Sequence, residues 1–309
     1  MVYKNVLEAI GNTPMIRLNR VCPSDCADIY VKFEALNVGG SIKTRTAFNM
    51  LNEAEKSGLI NKDTIIVEPT SGNQGIGIAL VAAVKGYKVK IVMPDSVSVE
   101  RRKLVTQYGA EVLTVHDGGD IGECINGCLA LALKLQKEND NVYIPQQFTN
   151  PNNNSAHKMH TAVEILADFP NGVDGFCSGI GTGGTLTGIG EALKEKNPNT
   201  KIWAIEPEHA AILSGGEIGT HIQMGIGDGL IPHNLNTEIY DEVFIVSDEE
   251  AVQMARRLAA EEGLLCGISS GTNVVAAIAL AKKLGKGKTV ITILADTGER
   301  YFSTPLFQD

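Results

Sequence analysis

Four short glycine-bearing segments carry residues whose types and spacing could do chemistry. The first is Asn37-Val38-Gly39-Gly40-Ser41-Ile42-Lys43-Thr44-Arg45. A lysine behind a glycine turn, at the start of a helix, stands open to a ligand. With a depressed pKa it is a nucleophile, or a Schiff-base partner for an aldehyde. The segment is not a P-loop, because Gly39 and Gly40 precede Lys43 without the required spacing. The second segment is Glu68-Pro69-Thr70-Ser71-Gly72-Asn73-Gln74-Gly75. Hydroxyls and free N–H groups ahead of a helix suit a carboxylate or phosphate, or simple N-capping. The third is Gly181-Thr182-Gly183-Gly184-Thr185, where consecutive amides and two hydroxyls can wrap one phosphate. Its glycines do not follow the dinucleotide fingerprint, and Glu206 is the one acid placed to reach a ribose. The fourth, Cys266-Gly267-Ile268-Ser269-Ser270-Gly271, offers a serine as an N-cap or as a neutral partner for a ligand ring atom. Together these suit pyridoxal phosphate. The aldehyde needs a lysine, the phosphate a cradle, the ring nitrogen a partner and the substrate carboxylate an anion site.

Such residues need a scaffold that aims loops at one place. Hydrophobic periodicity predicts strands over 28–33, 64–68, 88–93 and 111–115, alternating with helices over 46–57, 75–85, 98–108 and 121–138. The second half continues with strands over 175–177, 201–206, 242–246 and 289–294, and helices over 185–194, 248–263 and 271–284. His157 and His160 fall on a further helix, in packing or surface positions, and His233 falls on the surface. The alternation predicts an α/β chain of two Rossmann-like domains with mostly parallel twisted sheets. At 309 residues the chain has the length of two domains. The Asn/Pro-rich stretch 147–154 marks the division. The expected arrangement is a smaller, mobile domain over 40–150 and a larger one over 1–39 plus 151–309. The glycine-heavy stretch 215–229 reads as a loop.

Composition narrows the class. Hydrophobic residues are 43% and charged residues 20%, enough for a packed core and too much for intrinsic disorder. Apolar runs are broken well short of about 18 residues, so no membrane span is expected, and the N-terminus lacks a signal-peptide core. A net charge of −9 argues against a nucleic-acid binder. The six cysteines, Cys22, Cys26, Cys124, Cys128, Cys177 and Cys266, have no histidine at finger spacing, so neither a metal site nor disulfides are expected. Glycine, at 33 residues, exceeds the usual share of about 7%.

In this order the motifs GGSIK, EPTSGN, QQFTNP, GTGGTLTG, GIG and GISSG resemble the cysteine synthase family, the fold-type II pyridoxal-phosphate enzymes. The resemblance runs from Gly11-Asn12-Thr13-Pro14 to the segment 298–304. It implies that Lys43 is the Schiff-base lysine and the base that removes the α-proton. Asn73 would bond the cofactor's ring hydroxyl. Gly181, Thr182, Gly183, Gly184 and Thr185 would cradle its phosphate, and Ser269 would face the pyridine nitrogen. Thr70, Ser71, Gly72 and Gln147 would hold the substrate carboxylate. The implied chemistry is β-elimination to an α-aminoacrylate followed by addition at the β-carbon. A small amino-acid substrate, a homodimer and a cytoplasmic location are also implied, with no membrane and no metal.

Departures from the family pattern sharpen the expectation. Thr44 stands where an aspartate is usual, Val38 for a proline and Gln74 for a threonine. Asp228, in Met224-Gly225-Ile226-Gly227-Asp228-Gly229, replaces a small apolar residue. A carboxylate beside the β-carbon would repel hydrosulfide, yet it could assist a leaving thiol or act as a base on water or a thiol. Asp228 is therefore expected to be catalytic and substrate-binding. It would tilt the enzyme toward L-cysteine, with hydrogen sulfide released and water added to give L-serine, or a thiol added to give lanthionine. Three alternatives stand beside this. One is ordinary cysteine synthesis from O-acetyl-L-serine. Another is cystathionine β-synthase-like chemistry, suggested by Glu262-Gly263-Leu264-Leu265-Cys266-Gly267 and opposed by the absence of room for a regulatory domain. The third is a non-catalytic amino-acid sensor, which an intact Lys43 opposes.

Overall fold

The computed structural model describes residues 2–119 and 121–308. Among the described residues, ten strands build two sheets. In the larger, β1 (Met15–Arg17), β2 (Asp28–Phe33), β10 (Thr289–Leu294), β7 (Gly175–Gly179), β8 (Lys201–Pro207) and β9 (Glu242–Val246) lie side by side in that order. All neighbours are parallel except β1, which runs antiparallel to β2 with Ile16 opposite Val31. The smaller sheet has the order β5 (Glu111–Val115), β4 (Lys88–Pro94), β3 (Ile65–Pro69) and β6 (Val142–Tyr143), all parallel. The chain leaves the larger sheet after β2, builds the smaller one, and returns at β7.

Helices carry the crossovers, as parallel strands demand. They are α1 (Lys43–Lys56), α2 (Asn73–Lys85), α3 (Val99–Gln107) and α4 (Ile121–Glu138), then α5 (Pro151–Ala156), α6 (Ala162–Asp168), α7 (Gly184–Lys196), α8 (Asp248–Glu262) and α9 (Ile268–Leu284). Local chemistry sets several ends. Ser247 and Glu250 form a reciprocal capping box ahead of α8, which stops at Gly263 in the left-handed region. Asn150 caps α5, with Pro151 at its first turn. The Asn/Pro-rich stretch is therefore a helix start rather than an open linker. Between α5 and α6, His157–Thr161 winds as a π-helical turn.

One hydrophobic core lies under α1, α2 and the smaller sheet, with Leu51, Ile66, Ile78 and Ile91 fully buried. A second fills one face of the larger sheet between β2, β10 and α9. A third, on the other face, joins β7 and β8 to α6 and α7. Helices α1, α2, α7 and α9 each begin earlier than the apolar periodicity suggested, at Lys43, Asn73, Gly184 and Ile268. Their first turns are polar because they face a cleft, so they show no apolar period. Among the described residues no helix is long and apolar enough to cross a membrane, and the stretch 215–229 holds neither helix nor strand.

Candidate active site

The cleft forms where loops at the carboxyl ends of both sheets meet the first turns of α1, α2, α7 and α9, the usual ligand position in open α/β sheets. Its empty space is about 1070 Å³, open mouth included. Lys43, Thr70, Ser71, Gly72, Asn73, Gln147, Gly181, Thr182, Gly183, Thr185, Asp228 and Ser269 all line it. Of the residues expected to be catalytic or to bind cofactor or substrate, Gly184 alone is absent from the wall. A Cβ at Gly184 would lie 2.1 Å from Asn153 Oδ1, so this glycine lets α5 approach α7 from behind.

The start of α1 is laced to the larger sheet: Ile42 N–H donates to Ala295 O at 2.9 Å, and Ser41 bridges to Asp296. The rest of α1 packs on α2, with Lys43 O close to Gly77, where a Cβ would meet it at 3.0 Å. Lys43 is half-buried. Burial pushes its ammonium pKa down, against the charges of Asp228 and Asp296. A lowered pKa frees the amine lone pair that a nucleophile or base needs.

Asp228, on the loop 224–229, lines the same cleft and acts on Lys43 through its charge. That loop rests on the loop after β7: Gly227 N–H donates to Ile180 O at 2.8 Å, and a Cβ at Gly181 would lie 2.3 Å from Gly225 O. His221 Nε2 lies 3.0 Å from Gly227 O. Burial pushes the Asp228 carboxyl upward, and Lys43 and His221 pull it back.

The anion cradle lies at the N-terminus of α7. Gly183 has φ +81°, and a Cβ there would lie 2.8 Å from Leu235 N, so no side chain fits. Thr182 Oγ accepts from Asn153 Nδ2 at 2.9 Å, which leaves its own hydrogen to donate into the cleft. Thr185 Oγ is 3.3 Å from His157 Nε2, and His157 Nδ1 is 3.1 Å from Thr161 Oγ. Burial, aided by Lys43 and Arg45, holds the His157 imidazole well below its ordinary pKa. It is neutral near pH 7 and can orient the Thr185 hydroxyl.

Asn73 Nδ2 donates to Asp296 Oδ2 at 2.6 Å, and Arg300 Nη1 donates to Asn73 Oδ1 at 2.5 Å. One amide hydrogen of Asn73 remains for a ligand. Ser269, at the first turn of α9, is buried in the cleft floor. Gln147 is held through its backbone. Glu68 accepts from the Gln146 and Gln147 N–H groups at 2.9 and 3.0 Å. Gln147 O accepts from Asn153 Nδ2 and Asn234 Nδ2, both at 2.8 Å. Burial pushes the Glu68 carboxyl up to about 7, although both N–H groups favour its charge.

These residues fit pyridoxal phosphate. The cradle is cleared of side chains at Gly181 and Gly183 because the walls already touch there, and Lys43 opens onto the same cleft. A family model described as "Pyridoxal-phosphate dependent enzyme" matches residues 6–296. The cysteine synthase of Staphylococcus aureus is 49% identical over 304 residues, 98% of this chain and 96% of that one. This chain belongs to the cysteine synthase family. Pyridoxal phosphate is its cofactor and β-replacement its type of chemistry. Among solved structures of the family, a hydrogen sulfide-producing enzyme from Fusobacterium nucleatum superposes with a TM-score of 0.92 at 44% identity, covering 97% of this chain and 100% of that one. A cysteine synthase from Entamoeba histolytica gives 0.93 at 37%, covering 100% and 92%.

Several cleft residues were not singled out in the sequence. Arg101, Ile125 and Asn273 line the wall, while Asn153, Asp296 and Arg300 stand behind it. Their partners lie far off in sequence: Arg300 bonds Asn73 across 227 positions. His157, expected only in a packing or surface position, stands behind the cradle on the π-helical turn 157–161, an irregularity frequent at functional sites.

Proposed function

We propose that this enzyme performs β-replacement with L-cysteine as its preferred donor. It would release hydrogen sulfide and add water, giving L-serine, or a second cysteine, giving lanthionine. The observation that carries this reading is a half-buried carboxyl, Asp228, that lines the same cleft as the Lys43 amine and interacts with it electrostatically. Bound pyridoxal phosphate would supply the electron sink that makes the substrate α-proton acidic. Gly181, Thr182, Gly183, Gly184 and Thr185 hold the phosphate, Asn73 the ring hydroxyl and Ser269 the ring nitrogen. Thr70, Ser71, Gly72 and Gln147 hold the substrate carboxylate. Lys43 takes the α-proton. Asp228, whose carboxyl burial pushes upward, gives a proton to the departing sulfur and takes one back from the incoming water or thiol. Hydrosulfide, an anion, is disfavoured as the incoming group beside that carboxylate.

Residues 40–150 form the unit that moves to admit substrate, two copies of the chain associate, and the enzyme acts in the cytoplasm. A second reading, L-cysteine formation from O-acetyl-L-serine and sulfide, is favoured by the extent of identity with the S. aureus cysteine synthase. Incubation with L-cysteine alone separates the two. Sulfide with serine or lanthionine supports the first, and cysteine formed only from O-acetylserine and sulfide supports the second.

A further inference from the structure

Arg101 is a buried cation in the cleft wall. It lies in the first turn of α3 and is 3% exposed. Its Nη1 donates to Met224 Sδ at 2.8 Å, and a thioether is a weak acceptor. Its Nε is buried without a partner. Its guanidinium stacks over the Tyr301 ring, 4.9 Å from the centroid. Among the described residues no carboxylate is ion-paired with it, whereas the buried Lys32 and Arg45 are both paired. A neighbouring cation, Arg300, has its guanidinium pKa lowered chiefly by burial and further by Arg101. Desolvating a guanidinium without an anion is costly, and this one faces the open cleft.

Its position selects the anion. The stem covers Gly72, where a Cβ would lie 2.5 Å from Arg101 Cδ. The head reaches Met224, four residues before Asp228 in the opposite loop. Arg101 therefore spans from the proposed donor-carboxylate loop to the loop that meets the β-carbon, and the donor carboxylate already has Thr70, Ser71, Gly72 and Gln147. We propose that Arg101 binds the carboxylate of the second reactant, an incoming amino-acid thiol. This rests on the β-replacement reading with thiol addition. A planar guanidinium matches a carboxylate through two parallel hydrogen bonds, a fit that hydrosulfide and water cannot use. The new S–C bond forms at the β-carbon, the thiol proton passes to Asp228, and the α-carbon regains its proton from Lys43. Arg101 changes no bond and decides which thiol is present.

The test compares wild-type holoenzyme with Arg101→Met and Arg101→Lys, using 3-mercaptopropionate and the uncharged 2-mercaptoethanol as acceptors. L-Cysteine serves as donor, or O-acetylserine if L-cysteine alone releases no sulfide. Sulfide release thus judges the donor reading separately from Arg101. The expected result for Arg101→Met is a KM for 3-mercaptopropionate raised about tenfold or more, with the KM for 2-mercaptoethanol within about twofold of wild type, as expected when one group-specific contact is lost. Arg101→Lys should fall between. An equal change for both thiols, no change for either, or a rise confined to the donor KM would overturn the assignment.

Discussion

Lys43 and Arg45 stand two residues apart in the first turn of α1 and look in opposite directions. Lys43 opens onto the cleft, where Asp228 and Asp296 act on it only through space and burial depresses its pKa. Arg45 points into a closed network. Its guanidinium donates twice to Glu34, at 2.9 and 2.9 Å, and twice to Glu164, at 2.7 and 2.7 Å. Lys32 completes it, with Glu164 at 2.8 Å and Thr13 O at 2.5 Å. There, burial works against charge on Arg45 and on Glu164, yet their mutual bonds overcome it. Arg45 is raised, and Glu164 is held at about 2. The same helix turn thus carries one cation kept reactive by the lack of a fixed partner and one kept inert by two. Chemistry is placed where desolvation has no structural compensation.

The largest effect should separate these roles outright. Lys43→Ala should reduce β-replacement by about 10³-fold or more, while its unfolding free energy stays within about 1 kcal/mol of wild type, as expected for a half-buried side chain without an ion pair. Assay and urea titration on one preparation check both. A matching loss of stability would break the contrast.

Arg45→Met should do the reverse. It leaves Glu34 and Glu164 short of their partner, at a cost of about 3–5 kcal/mol, read as a lower urea midpoint. An unchanged midpoint would show that the network contributes nothing.

Buried Glu68 and half-buried Glu164 should titrate with opposite sign. Glu68, at about 7 when folded, contributes stability that is complete below about pH 4.5 and lost as pH rises through 7, of order 3 kcal/mol. Glu164, at about 2, contributes stability that is present above about pH 4.5 and lost as pH falls through 2. Urea midpoints from pH 4 to 8 should show that Glu68→Gln removes part of the wild-type fall toward neutral pH. Parallel curves would contradict the assigned burial effect. The smallest effect lies at the network's edge, where Thr13 Oγ donates to Glu34 at 2.6 Å. Thr13→Val should cost about 1 kcal/mol.

Much of this was legible in the sequence, for physical reasons. The β-α alternation and the glycine turns are local signals, and they located most of the cleft wall. The closed network was not legible. Thr13, Lys32, Glu34, Arg45 and Glu164 come from four separate segments, and no spacing rule links them. Arg101 was hidden likewise, because its meaning depends on Met224 and Tyr301, and on the lack of a paired carboxylate. The strands β1 and β6, of three and two residues, are too short to show a period. The stretch 147–154 read as a boundary because Asn and Pro mark turns, but the same residues also cap and start helices, as Asn150 and Pro151 do here.

Asp228, which shares the cleft with Lys43 and has no ion pair among the described residues, is the residue proposed to turn the cleft toward L-cysteine. The most direct test is product identification from L-cysteine alone, with wild type and Asp228→Asn side by side. Wild type should give sulfide with serine or lanthionine. Asp228→Asn should lose about 10²-fold in product formation, with a long-wavelength absorbance accumulating as the second half stalls. No sulfide from wild type, or undiminished turnover by Asp228→Asn, would contradict that proposal.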